Sequence, residues 1–217
     1  LAWVALEQGD PEVHLSRLDK TGHRTSDMLL TTVKGDARNV AVEWVGDGYV
    51  VAWIDGRGRD GAGEVYATKV NPSLERITRQ TRVGSTPGDA TDLAMVRGIG
   101  PKGPLFLAWT KPSGASTSDV YLARISAHNA ERQGEEIKVT GQTGAGGLAR
   151  APLLLPTDEG GVRVAWLVDQ SAGRGNQVDQ AFFASAFDAL GQPSAPTRLV
   201  WIAPGARASA WRASRRP

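Results

Sequence analysis

Ten residues, Asp55-Gly56-Arg57-Gly58-Arg59-Asp60-Gly61-Ala62-Gly63-Glu64, gather three carboxylates and two guanidiniums into one short stretch. Such carboxylates are hard oxygen donors of the kind that ligate Ca²⁺. Their spacing does not fit the EF-hand loop, and Arg57 and Arg59 would compete with a cation for them. Gly56, Gly58 and Gly61 satisfy Gly-x-Gly-x-x-Gly, a pattern that cradles a dinucleotide when it opens a helix. Here the next segment, Glu64-Val65-Tyr66-Ala67, reads as a strand. The stretch is therefore expected to be a hairpin loop held by its own salt bridges, with Asp55, Arg57, Asp60 and Glu64 as candidate ligand contacts. Trp201 and Trp211 join them, because an exposed aromatic face stacks on a sugar or peptide. Burial between packed sheets is the competing fate of both tryptophans.

Other chemistry is excluded residue by residue. Cysteine is absent, which removes disulfides, thiolate metal sites and cysteine nucleophiles together. His14 occupies the slot held elsewhere by Tyr66, Tyr121 and Phe183, while His23 and His128 lie in turns. No two histidines are spaced as a metal pair, and no Gly-x-Ser-x-Gly elbow exists. No catalytic residue, metal ligand or cofactor is expected. Glu12, Glu64 and Asp119 each precede a strand, an arrangement expected to cap the connecting turn through backbone amides.

The elements that must position these residues repeat. Ala2-Trp3, Ala52-Trp53, Ala108-Trp109 and Ala165-Trp166 each sit in an apolar run, with the tryptophans 50, 56 and 57 residues apart. A period near fifty marks a repeat architecture. Each unit carries four short strand-like segments, and no window holds a helical apolar period with caps. All-β is the fold class, and four-stranded units of this size are the dimensions of propeller blades, each too small to bury both faces alone. The Ala-Trp pair fits an inner strand, with the small residue near the crowded axis and Trp wedged between blades. The units run approximately 1–49, 50–104, 105–161 and 162–211, with 212–217 a basic tail. The chain starts in the second strand of a blade, so Ala206 to Trp211 is expected to complete the first blade beside Leu1 to Ala5. A closed four-bladed ring and an arc of a larger ring both satisfy this register.

Val50-Val51-Ala52-Trp53-Ile54-Asp55-Gly56-Arg57 followed by Glu64-Val65-Tyr66-Ala67 resembles a repeat of bacterial extracellular propellers, similar in style to sialidase-like and TolB-like blades. The sialidase Asp-box, Ser-x-Asp-x-Gly-x-x-Trp, is absent from every unit. The resemblance implies a propeller and an extracytoplasmic location, whether periplasmic, cell-surface or secreted. It carries no catalytic residues.

Net charge is only +2, and no basic stripe with interleaved aromatics is present, so nucleic acid is not an expected partner. No apolar run is long enough to span a bilayer as a helix. The sequence opens in mid-pattern without Met, as expected of a mature product or a fragment. The functional expectation is a non-catalytic binding or scaffold module with protein partners, and glycan as the second class of ligand. Its alternative is a glycoside hydrolase-type propeller with the site at the central channel. Converging Asp, Glu, Arg and Tyr at the channel would favour the enzyme, an apolar plug the scaffold.

Overall fold

The computed structural model describes residues 1–32, 35–57, 61–85, 88–100, 103–142, 147–171 and 178–201. Fifteen strands and no α-helix make up these residues. The first sheet holds β1 (Ala2–Glu7), β2 (Asp10–Leu18) and β3 (Arg24–Leu29), in that order. The second runs β4 (Arg38–Trp44), β5 (Tyr49–Asp55), β6 (Glu64–Val70), β7 (Thr81–Arg82). The third unit is β8 (Thr91–Arg97), β9 (Leu105–Gly114), β10 (Thr117–Ile125) and β11 (Arg132–Lys138). The fourth is β12 (Leu148–Pro156), β13 (Val162–Ser171), β14 (Val178–Phe187) and β15 (Pro193–Trp201). These last two units join through a single parallel bridge, Ser118 to Leu148, whereas the ladders within each unit are antiparallel. Each unit is thus an up-and-down meander, and the fold is all-β and propeller-like.

Strand periodicity explains how the units pack. Along β5, Val50, Ala52 and Ile54 face one neighbouring sheet, and Val51 and Trp53 face the other. Trp53 therefore packs with Val13, Leu15 and Leu30 of the first sheet. Trp109 packs with Val65, Ala67 and Val83 of the second, and Trp166 with Phe106, Val120 and Leu122 of the third. All three indoles are fully buried wedges between successive units. Trp3 is only half-buried, since no sheet precedes its own among the described residues.

The inner strands are β4, β8 and β12, which pack side by side, and the Ala-Trp strands β5, β9 and β13 lie one place further out. Each inner strand carries the same bulge, with the register slipping after Arg38, Thr91 and Arg150. Asn39, Asp92 and Ala151 take positive φ there, at 49°, 53° and 51°. The bulge turns the residues at the start of each inner strand toward one end of the stack.

Each of the first three outer strands is followed at once by a buried apolar residue. Leu30, Val83 and Val139 are buried anchors just past the outer strands, each donating its N–H 2.8 Å to the carbonyl of Val13, Val65 or Val120. Their apolarity marks the anchor and not the strand, which is why β3 ends at Leu29 and β11 at Lys138. The first sheet has three strands, and the sheets close into no ring among the described residues. Ala206 to Trp211, expected to supply the missing strand, lies outside the described residues, as does the tail.

Candidate functional site

Asp55 ends β5, directly opposite Glu64 at the start of β6. Its carboxylate is 1% exposed and accepts Trp53 Nε1 at 3.0 Å, the Arg57 amide at 3.0 Å and the Arg57 guanidinium. Arg57 lies over the Tyr66 ring at 4.7 Å and the Trp53 ring at 5.9 Å, and Nη1 donates 2.6 Å to Gln80 Oε1. Gly35 packs so closely on Asp55 that a Cβ has no room. Glu64 pairs with Arg82 at 2.8 Å. The structure thus brings Asp55, Arg57 and Glu64 to one blade edge. Asp60 and Trp211 lie outside the described residues, and Trp201 is on β15, in a different sheet.

The aromatic–cation stack recurs in other units. Lys111 lies over Trp109 and Tyr121, at 5.5 and 4.9 Å, and Arg24 over Trp3 at 5.1 Å. Lys111 stands where Asp55 stands in the second unit, so Trp109 Nε1 is left buried without an acceptor among the described residues. Glu136 answers the ammonium at 3.3 Å, both side chains being under 5% exposed (4% and 3%). Burial pushes the Lys111 ammonium pKa down, and Glu136 offsets only part of that.

The three acids expected to precede strands lie within β2, β6 and β10, near their starts, and their side chains reach the fourth segment. Glu12 accepts the Thr31 hydroxyl, Glu64 pairs with Arg82, and Asp119 accepts Thr140 Oγ1 at 2.6 Å and Lys138 Nζ at 2.7 Å. Their partners come from the outer strand and the residues just past it, so each acid clamps the third segment to the fourth. Burial acts to raise the Asp119 pKa, but hydrogen bonds from Lys138, Thr140 and Ser113 outweigh it and leave it lowered from 3.8. A folded-state pKa below the unfolded one contributes stability that is present above pH 3.8 and lost as pH falls through the lowered value. Asp119→Asn is therefore expected to flatten the acid limb of the stability–pH curve, measured by urea titration from neutrality downward. An acid limb as steep as in the parent would contradict this clamp.

A second cluster, which no sequence spacing announced, forms where the inner strands begin. Arg38 of β4 donates to Asp36 at 2.7 Å, to Asp89 beyond the next blade boundary, and to the Ala90 carbonyl at 3.2 Å. Asp89 also accepts the Gly63 amide at 2.9 Å, an approach that a side chain at Gly63 would block. Asp92 on β8 accepts Thr110 Oγ1 and the Ala151 amide of β12, both at 3.2 Å. Arg150 on β12 grips Asp169 at 2.7 and 3.2 Å, and Gln180 donates to the same carboxylate at 2.9 Å. Contacts thus run from unit to unit around the inner-strand mouth. Among the described residues, Asp92 alone of these four carboxylates is held without a guanidinium, and Arg38 Nε is buried with no partner.

No protein-family model matches the sequence, and no curated protein matches it. Solved structures do resemble it. A thermostable family-43 glycoside hydrolase shares 10% identity at a TM-score of 0.48, over 76% of this chain and 54% of that one. An endo-arabinase from Bacteroides thetaiotaomicron shares 10% at 0.49, over 86% and 71%. An endo-arabinanase from Bacillus licheniformis shares 11% at 0.46, over 92% and 78%. The chain spans about half the length of the first (54%). The expectation of a non-catalytic binding or scaffold module is corrected here: the resembling structures are named as glycoside hydrolases, the class of its alternative. Among the described residues, carboxylates and guanidiniums meet at the inner-strand mouth.

Proposed function

We propose that the chain is a glycoside hydrolase-type propeller that takes a polysaccharide at the mouth formed by the starts of β4, β8 and β12. The observation that carries this reading is the cluster of Asp36, Asp89, Asp92 and Asp169 with Arg38 and Arg150 across three units. Glycoside hydrolysis uses a pair of carboxyl groups flanking the scissile bond. Asp92 is the reacting carboxylate in this proposal, because a hydroxyl and an amide are exchanged for substrate more readily than a guanidinium. Asp89, just before β8 on the same unit, is its partner. Arg38 and Arg150 orient the sugar hydroxyls, and Asp55, Arg57 and Glu64 at the two ends of the β5–β6 connection form the rim. That loop is tied to the mouth by the Gly56 amide, which donates 3.4 Å to the Asp36 carbonyl.

The same proposal includes a propeller over 1–211, either a four-bladed ring completed by Ala206 to Trp211 or part of a larger ring, with 212–217 a basic tail, and an extracytoplasmic location where polysaccharide is met. Among the described residues no helix is long and apolar enough to cross a membrane. The test is release of reducing sugar from arabinan, the polymer for which two of the resembling enzymes are named. Asp92→Asn is expected to lower the rate roughly 10²–10⁴-fold with the melting temperature retained. Absence of hydrolysis by the parent chain, or an unchanged rate in the variant, overturns the proposal.

A further inference from the structure

At the opposite ends of the inner strands lies a cleft of about 780 Å³, walled by the turn after β4, the end of β8, the end of β10 and the Ala189–Leu190 turn. Three cations line it, Lys69, Arg97 and Arg124, against one carboxylate, Asp47. Lys69 is buried and spends its charge on Asp47 at 2.8 Å, so the one acid of the wall is already matched. Arg124 Nη1 donates 2.9 Å to the Ala189 carbonyl. A carbonyl orients a guanidinium without neutralising it. Arg124 Nε is moreover buried with no partner among the described residues, a donor that costs free energy until an acceptor arrives. Arg124, Gln133 and Leu190 also line an adjoining cavity of about 290 Å³, in which Glu135 is the one carboxylate. An amide and an apolar face thus stand beside the charge, matching a ligand with an anionic head on a hydroxylated ring.

We propose that this cleft is a second binding site, specific for an oxyanion, and that the ligand it fits is the carboxylate of an acidic sugar with Arg124 as its anchor. The site is separate from the inner-strand mouth and does not rest on hydrolysis there. A carboxylate over a guanidinium makes charge-assisted, bidentate hydrogen bonds that a neutral sugar cannot. The test is calorimetric titration of the full chain with glucuronate, with inorganic phosphate and with glucose, at constant ionic strength. Glucuronate is expected to bind and glucose not to bind. Arg124→Gln is expected to weaken glucuronate tenfold or more, while Asp92→Asn leaves its affinity unchanged. Leu190→Asp supplies a variant that cannot fail through the core, because Leu190 is 66% exposed. The carboxylate it places on the cleft wall is expected to repel the ligand and cut affinity by a similar factor. Binding of phosphate in preference to glucuronate keeps the oxyanion site and makes free phosphate the source. Binding of neither anion, or binding that both Arg124→Gln and Leu190→Asp leave intact, overturns the proposal.

Discussion

Trp109→Ala is expected to destabilise the chain by about 3–5 kcal/mol, the cost of removing a large buried aromatic and leaving a cavity. At the size of this chain that corresponds to a fall in melting temperature of roughly 6–20 °C. The loss is large because the indole is fully buried between two four-stranded units, each of which presents an apolar face to it. Trp53→Ala and Trp166→Ala remove the same wedge at the other two boundaries and are expected to cost about as much. Trp3→Ala is the internal control, since Trp3 is half-buried on a sheet with no preceding neighbour among the described residues. Thermal melts of the four variants decide the matter. Equal losses at Trp3 and Trp109 would show that the indoles act within their own sheets and not between them.

Glu136→Ala is the second large effect, with an expected cost of about 3–5 kcal/mol. The carboxylate accepts Lys111 Nζ at 3.3 Å and the Ser85 amide at 2.6 Å, and both charged side chains are buried. Its removal leaves the Lys111 ammonium in the same site, between Trp109 and Tyr121, without the Glu136 carboxylate and with Glu64 as a weaker attraction. Replacing both partners with apolar residues of similar volume is expected to recover most of the loss, because a buried pair pays desolvation for two ions. The urea midpoints of Lys111→Met, Glu136→Leu and Lys111→Met/Glu136→Leu form the cycle, with Glu136→Ala measured beside them. A double variant no more stable than Glu136→Ala would mean that the pair is worth more than its desolvation costs.

The sequence by itself determined the class of fold and the role of its tryptophans. Alternation of period two along Val50-Val51-Ala52-Trp53-Ile54 already assigns each residue to one face, and recurrence of the Ala-Trp pair assigns the faces to successive units. Such information is local, so it survives in the order of residues alone. The salt-bridged character of the loop at Asp55 and Arg57 was legible for the same reason, the two residues being neighbours on one strand end. Partners for Glu12, Glu64 and Asp119 were not legible, because the outer strand that supplies them returns only after a variable turn. The inner-strand mouth was the most hidden. Arg38 and Asp89 are 51 residues apart, and Asp92 and Ala151 are 59 apart. Nothing in either spacing resembles a motif, and only the packing of β4 against β8 and of β8 against β12 brings those groups within hydrogen-bonding reach. The basic cleft behind them likewise takes its wall from three units at once. A repeat writes its scaffold in every unit, but a site at the junction of units exists only after the units are stacked.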